Sequence, residues 1–401
     1  MPLAILAVFF TSPADLFAQR ADVSSPGSTS SGEFGQSTRF DNTFNPAISL
    51  VFSVIADWQE FSGGSPDGLE LELSRVDLLL AAWIDPNAFA WTTIAYEGEE
   101  LELDEAAIEY VGLPGNHTLR AGRFFVDFGK QMQSHVEELR TIQRPLVLRD
   151  YLGEELAGDG LQWDHWSSAG DVTLLRYSIG AFNDLSGGGH GHGEEGVAPE
   201  VHVDERKRGE RLGFTSRFTS LTEVGSNGVL QMGVSGRWLN DFAFEQESSE
   251  LLSPGLSNAV YGADLSYGWV SDDGIRDWTV GGEYLVFDGD LSGELDDNGT
   301  ETVADDQLVV FSDRVAGGYA FIDHGWSRFD SAGVQYSMIQ EPELGRRQAS
   351  EFDLYYTRQL SETLRLRIGA TFVDNEDGED SGRFAIQLTG FLGPHGHGLN
   401  W

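Results

Sequence analysis

From Pro46 onward, apolar and polar residues alternate at the period of a β-strand. In "AISLVFSVIADW", Ile48, Leu50, Phe52, Val54 and Trp58 share one face. In "GVLQMGVSGRWLN", Leu230, Met232, Val234 and Trp238 oppose Gln231, Ser235 and Arg237. "TLRLRIGATFV" sets Leu364, Leu366, Ile368, Ala370 and Phe372 against Arg365, Arg367 and Thr371. "RFAIQLTGFLG" sets Phe384, Ile386, Leu388 and Leu392 against Arg383, Gln387 and Thr389. A soluble sandwich would alternate in the same way, with its polar side in water.

The connections separate the two architectures. Short connectors fall near Asp85-Pro86, at "LPGN" from Leu113, "SSAGD" from Ser167, "TEVGSNG" from Thr222, "SDDG" from Ser271 and "SET" from Ser361. Longer ones lie between them: Phe61 to Gly68, Asp127 to Gly158, Leu185 to Gly209, Phe242 to Ser257, Asp290 to Asp305, and "DNEDGEDS" from Asp374. Short turns alternating with long loops along roughly sixteen strands predict an all-β, up-and-down antiparallel transmembrane barrel. Trp58, Trp83, Trp91, Trp238, Trp269 and Trp278 fall near the inferred strand ends, where an interfacial girdle belongs. A plugged energy-coupled transporter needs around 22 strands and a plug. No propeller period stands out.

Composition narrows the reading further. The 401 residues carry a formal charge of -40, 49 Gly, no Cys and a hydrophobic fraction of 40%. That fraction excludes wholesale disorder. The lack of Cys rules out a disulfide framework and thiol chemistry. The acidity argues against nucleic acid as a partner. No run of about 18 apolar residues offers a transmembrane helix. Residues 1–20 hold an apolar run from Leu3 to Phe10 and small residues up to Ala18, but no opening Lys or Arg. They read as an atypical signal peptide, residues 21–45 as a flexible Ser/Gly-rich arm, and 46–401 as the barrel.

With the apolar faces toward lipid, Arg123, Arg176, Arg211, Arg217, Arg237, Arg365 and Arg367 point into the lumen. They share it with Gln231, Ser235, Gln335, Ser337 and Gln387, and with the acids Asp57, Asp264, Glu283 and Asp353. Inward Arg can line a track for anions; alternatively, they pair with neighbouring acids and simply satisfy a polar interior. Asp127 to Gly158 is the longest loop and the third on the outer side. Its apolar members Ile142, Pro145, Leu146, Val147, Leu148, Tyr151 and Leu152 predict packing inside the barrel. Arg140, Arg144 and Arg149 would then stand at a constriction with Glu137, Glu138, Asp150, Glu154 and Glu155.

"AGRFFVDFGK" from Ala121 to Lys130, an Arg-bearing insertion, and then "GDGLQW" resemble the porin family that includes the phosphate-selective porins. The match covers about a tenth of the chain. The resemblance implies a sixteen-stranded, trimeric diffusion channel in outer-membrane lipid, with an inward third loop. It places the solute-carrying role on Arg123 and Lys130, and on Arg140, Arg144 and Arg149 beside them. The acidic balance and scarce Lys depart from the anion-selective members, which leaves phosphate in doubt and cations open.

"GGGHGHGEEGVAPEVHVDE" puts His190, His192, Glu194, Glu195 and His202 in the fourth outer loop, and "GPHGHG" adds His395 and His397 at the end. Alternating His and Gly suits loose capture of zinc, without the spacing of a rigid site. The acid runs "ELDDNGTETVADD" and "DNEDGEDSG" lack the regularity of a calcium loop, although weak calcium binding fits them. No hydrolase elbow, zinc-protease motif or phosphate loop is present. Ser134 and His135, adjacent in a charged loop, make a poor dyad, so no catalytic residue is assigned. Two functions follow: a passive porin-like channel for small hydrophilic or ionic solutes, with no resident cofactor, or an exported barrel that captures divalent metal through acidic, His-rich loops.

Overall fold

The computed structural model describes residues 46–62, 68–97, 100–153, 155–183, 185, 187–188, 212–246, 249–296, 307–341, 348–376 and 380–393. Its strands are β1 (Ala47–Phe61), β2 (Gly68–Asp85), β3 (Ala88–Glu97), β4 (Glu100–Leu113), β5 (His117–Phe125), β6 (Glu155–Ala169), β7 (Thr173–Phe182) and β8 (Gly187–Gly188). They continue with β9 (Gly213–Val224), β10 (Gly228–Gln246), β11 (Ser249–Val270), β12 (Asp277–Asp296) and β13 (Gln307–Gly325). The last four are β14 (Asp330–Gln340), β15 (Gln348–Ser361), β16 (Leu364–Asn375) and β17 (Ser381–Leu392).

Each long strand pairs antiparallel with the next, and β17 returns to pair with β1, register Leu50 to Leu392. The two-residue β8 only bridges to β6, and β7 pairs directly with β9. The result is a closed barrel of sixteen long strands. Closure is the physical point, because a barrel leaves no open edge for lipid to meet. Among the described residues no helix is long and apolar enough to cross a membrane, so any crossing is made by strands.

The short connectors form where their residues require it. Gly115 and Asn116 hold φ of 79° and 60°, the paired left-handed conformation that matches the twist of a tight hairpin. Other turns close without a left-handed residue. Between β13 and β14 the turn is closed by Ser327, whose hydroxyl donates to Asp330 at 2.8 Å and accepts the backbone N–H of Phe329 and Asp330. Two expected loops are shorter than predicted. Strand pairing continues from Phe242 with Leu256 to Gln246 with Ser249, and from Asp290 with Ser312 to Asp296 with Gln307. β6 likewise starts at Glu155, so the third long connection spans 126–154.

The alternation sorts the faces as expected. Ile48, Val54, Trp58, Val234, Leu265, Tyr284 and Phe372 are exposed on the outside, while Ser53, Asp57, Ser235, Asp264, Glu283, Gln335, Ser337, Asp353 and Gln387 are buried inside. Trp58 and Trp278 keep their outer positions, exposed by 48% and 43%. Trp91 faces inward, where it is buried and stacks against Phe89 with centroids 5.9 Å apart, and Trp83 joins that inner cluster. Both were expected in the girdle. They sit inside because the interior is not uniformly polar: Leu239, Val260, Leu285, Val315 and Ile339 are also inward and buried.

Candidate pore lining and constriction

Segment 126–154 leaves β5, forms a single 3-10 turn at Val136–Glu138, and then a short helix, α1 (Leu146–Leu152), before β6. Its apolar residues Val126, Phe128, Met132, Val147, Leu148, Tyr151 and Leu152 join the inward residues of β10 to β15 in one buried cluster. Polar contacts run to widely separated strands. The backbone N–H of Gly129 donates to Ser235 on β10 at 3.0 Å, and that of Lys130 to Glu283 on β12 at 2.9 Å. His135 Nε2 lies 3.1 Å from Glu105 on β4. The Val147 N–H donates to Ser337 on β14 at 3.2 Å, and the Tyr151 hydroxyl to the Gln340 carbonyl at 2.8 Å.

The Arg residues take distinct positions. Arg217, 2% exposed, donates to Asp264 at 2.7 Å and Ser235 at 2.7 Å and lies 3.5 Å from Asp127. Arg176 pairs with the same Asp127 at 3.0 Å and with Asp164. Arg237 donates to Asn258 at 2.7 Å. Arg365 and Arg367 reach the segment itself, donating to the carbonyls of Glu137 and of Leu139 and Thr141 respectively. Arg140 places its guanidinium 4.8 Å from the centre of the Phe321 ring. Arg149 pairs with Glu351 on β15.

Two expected positions need correction. Arg144 is buried and donates to the carbonyls of Gln131 and Ser134 at 2.5 and 2.6 Å, so it ties the segment to itself. Arg123 shares the outer strand face with Leu119 and Ala121, and its neighbour across the ladder is Asp159 at 3.7 Å, beside the exposed Leu161. The inward arginine of β5 is Arg120, which pairs with Glu109 at 2.8 Å. A strand's faces exchange with a one-residue slip of phase, and β5 offers an Arg on each face. Arg75, also unexpected, collects four carboxylates: Asp77 at 2.8 Å, Glu97 at 2.7 Å, Glu155 at 3.1 Å, and Asp104.

Within the segment the charges are perturbed. Burial, and then the neighbouring Arg140, pushes Lys130 down to about 7 against the pull of Asp264 and Glu283. Burial would depress the His135 imidazole too, but its bond to Glu105 and the nearby Glu137 and Glu138 outweigh it and lift it to about 10. Burial pushes Glu137 up to about 7 in spite of His135. The metal candidates His190, His192, Glu194, Glu195 and His202, and residues 1–45, lie outside the described residues. Among the described residues no group of three His, Cys, Asp or Glu could hold a metal ion.

No family model matches the chain. It is 23% identical over 337 residues to an uncharacterized protein of Aquifex aeolicus (strain VF5), matching 80% of this chain and 68% of that one. An anion-selective porin from Comamonas acidovorans superposes with a TM-score of 0.53 at 10% identity, covering 86% of this chain and 99% of its own. The trimer form of in-vitro folded OmpT, an outer membrane protein of Vibrio cholerae, gives 0.51 at 6% identity, covering 86% and 99%. The fold is that of a porin-like β-barrel.

Proposed function

We propose that the protein is a passive channel for small hydrophilic or ionic solutes across a bacterial outer membrane. The observation that carries this reading is a barrel with an apolar outer face and many inward charges, supported by hydrogen bonds from segment 126–154 to β4, β10, β12 and β14. A segment held on opposite walls narrows the passage to whatever runs between it and the strands. Selectivity then lies with the groups at that narrowing: Lys130, Arg140 and Arg149 on the segment, and Arg176, Arg217, Arg237, Arg365 and Arg367 on the wall. The trimer form of a fold neighbour supports a homotrimer.

Passive diffusion has a plain test. Liposomes reconstituted with the purified protein should swell in neutral sugars at a rate that falls as the sugar grows. Equal swelling with and without protein removes the channel reading. The protein should also need detergent for extraction and shift its gel mobility on heating.

A further inference from the structure

The strands β2, β3 and β4 present an uncommon inner surface. In "LELEL" of β2, Leu69, Leu71 and Leu73 are outward and exposed, which leaves Glu70 and Glu72 on the inner side. Glu70 pairs across the ladder with the inward Asp57. In "ELELD" of β4, Leu101 and Leu103 are outward, with Glu100 and Glu102 opposite them and the buried Asp104 next. Glu97 stands on β3 between them, paired with Glu100. Five glutamates therefore descend from the rim on one stretch of wall toward Arg75.

There, among the described residues, carboxylates outnumber guanidinium groups. One guanidinium meets Asp77, Glu97, Asp104 and Glu155. The next carboxylate, Glu105, is matched by His135, and Glu109 by Arg120. Other pairings in the lumen are closer to neutral, as in Arg383 with Asp57 and Arg149 with Glu351. A second observation lies in the same wall. Thr93 is 2% exposed, pairs across the ladder with Glu105, and its hydroxyl meets no hydrogen-bond partner among the described residues. A buried oxygen without a donor costs free energy unless water or a cation reaches it. Access favours the acids as well: the Glu97 side chain is 43% exposed, whereas that of Arg217 is 1% exposed.

We infer that the β2–β4 wall is an entry track for small cations, and that the channel prefers cations to anions. This deepens the channel reading and rests on it. Cations would be concentrated by the rim glutamates, partly dehydrated against Asp77, Asp104 and Thr93, and passed on beneath segment 126–154. Inward Arg elsewhere are held by carboxylates or carbonyls and offer anions a weaker counterpart.

The test is the reversal potential of the purified protein in a planar bilayer under a potassium chloride gradient. Potassium should permeate better than chloride. Converting Glu70, Glu72, Glu100 and Glu102 together to Gln should lower the potassium-to-chloride permeability ratio by roughly fivefold at about 0.1 M salt, with less effect at about 1 M, where the Debye length is short. These four side chains lie near the rim, and heat-modifiable gel mobility checks that the variant folds. As an inner counterpart, Arg75→Gln should raise the ratio. Chloride-preferring wild-type current, or a quadruple variant with unchanged reversal potential at low salt, overturns the inference while leaving a channel. The absence of any conductance removes the channel reading with it.

Discussion

Gly129 sits against Glu283: a Cβ added at Gly129 would lie 2.1 Å from the Glu283 carboxylate, and its backbone is in the left-handed region at φ 54°. The carboxylate cannot simply swing away, because it accepts the N–H of Lys130 at 2.9 Å and Gln131 at 3.2 Å and the Tyr319 hydroxyl at 2.5 Å. Backbone strain of this type costs about 1–3 kcal/mol. Gly129→Ala should therefore loosen the start of segment 126–154. Limited proteolysis in detergent should cut the variant within the segment; resistance equal to wild type would refute the anchoring role.

Arg217 is the hub of a second anchor. Its removal leaves the buried Asp264 without its guanidinium partner, while Asp127 keeps Arg176; orphaning a buried charge costs about 3–5 kcal/mol. Arg217→Leu should lower the thermal unfolding midpoint markedly, and Asp264→Leu in the same chain should restore part of it. Additive losses would mean that the two residues do not act as a pair.

Arg140 and Arg144 should separate by function. Arg140→Ala removes a charge held over Phe321 and should shift the reversal potential toward cations at low salt. Arg144→Ala strips donors from the part-buried carbonyls of Gln131 and Ser134, each hydrogen bond worth about 0.5–1.5 kcal/mol, and should destabilise the segment with little change in selectivity. Equal selectivity shifts in both would place Arg144 on the ion path after all.

Selectivity should also follow pH. Lys130 is held down near 7, so raising pH through 7 removes its positive charge; Glu137, held up near 7, gains a negative one over the same range. Both changes make the lumen more negative, so cation preference should rise between about pH 6 and 8 and fall again on acidification. The groups facing Lys130 are Arg140, Asp264, Glu283 and Arg217. A Lys130→Met, Glu137→Gln double variant should flatten the profile, and an unchanged profile would assign it to other groups.

Zinc capture by the His-Gly tract is separable from conduction. Deleting 189–193 spares the Gly187–Gly188 bridge to β6. It should weaken zinc binding in calorimetry while conductance stays the same. Unaltered zinc binding would make the tract an incidental polar loop.

Much of the barrel was legible because a strand in lipid must show its period to be stable. β1, β10, β16 and β17 carry the apolar side outward as expected, and Arg217, Arg237, Arg365 and Arg367 point in with their strands. The failures have physical causes. Phase is ambiguous where a strand carries Arg on both faces, as β5 does with Arg120 and Arg123. Ser327 closes a turn through its hydroxyl, with no Gly or Pro among residues 326–329. The apolar interior, with Leu285 and Ile339 inward, breaks the expectation of a polar lumen, because those residues cluster with Val147 and Leu148, which are distant in sequence. The partners of Arg75 come from β2, β3, β4 and β6, and no spacing along one chain announces them.

Single-channel conductance with segment 126–154 shortened tests the central claim most directly. Replacing residues 131–152 by a short Gly/Ser linker retains the β5 and β6 sequences while removing the contacts of Val147 and Tyr151 to β14 and of Arg149 to β15. The purified wild type should give discrete conductance steps, and the shortened protein clearly larger ones with weaker ion selectivity. Steps of the same size in both, or none in either from correctly folded barrels, would contradict a channel narrowed by this segment.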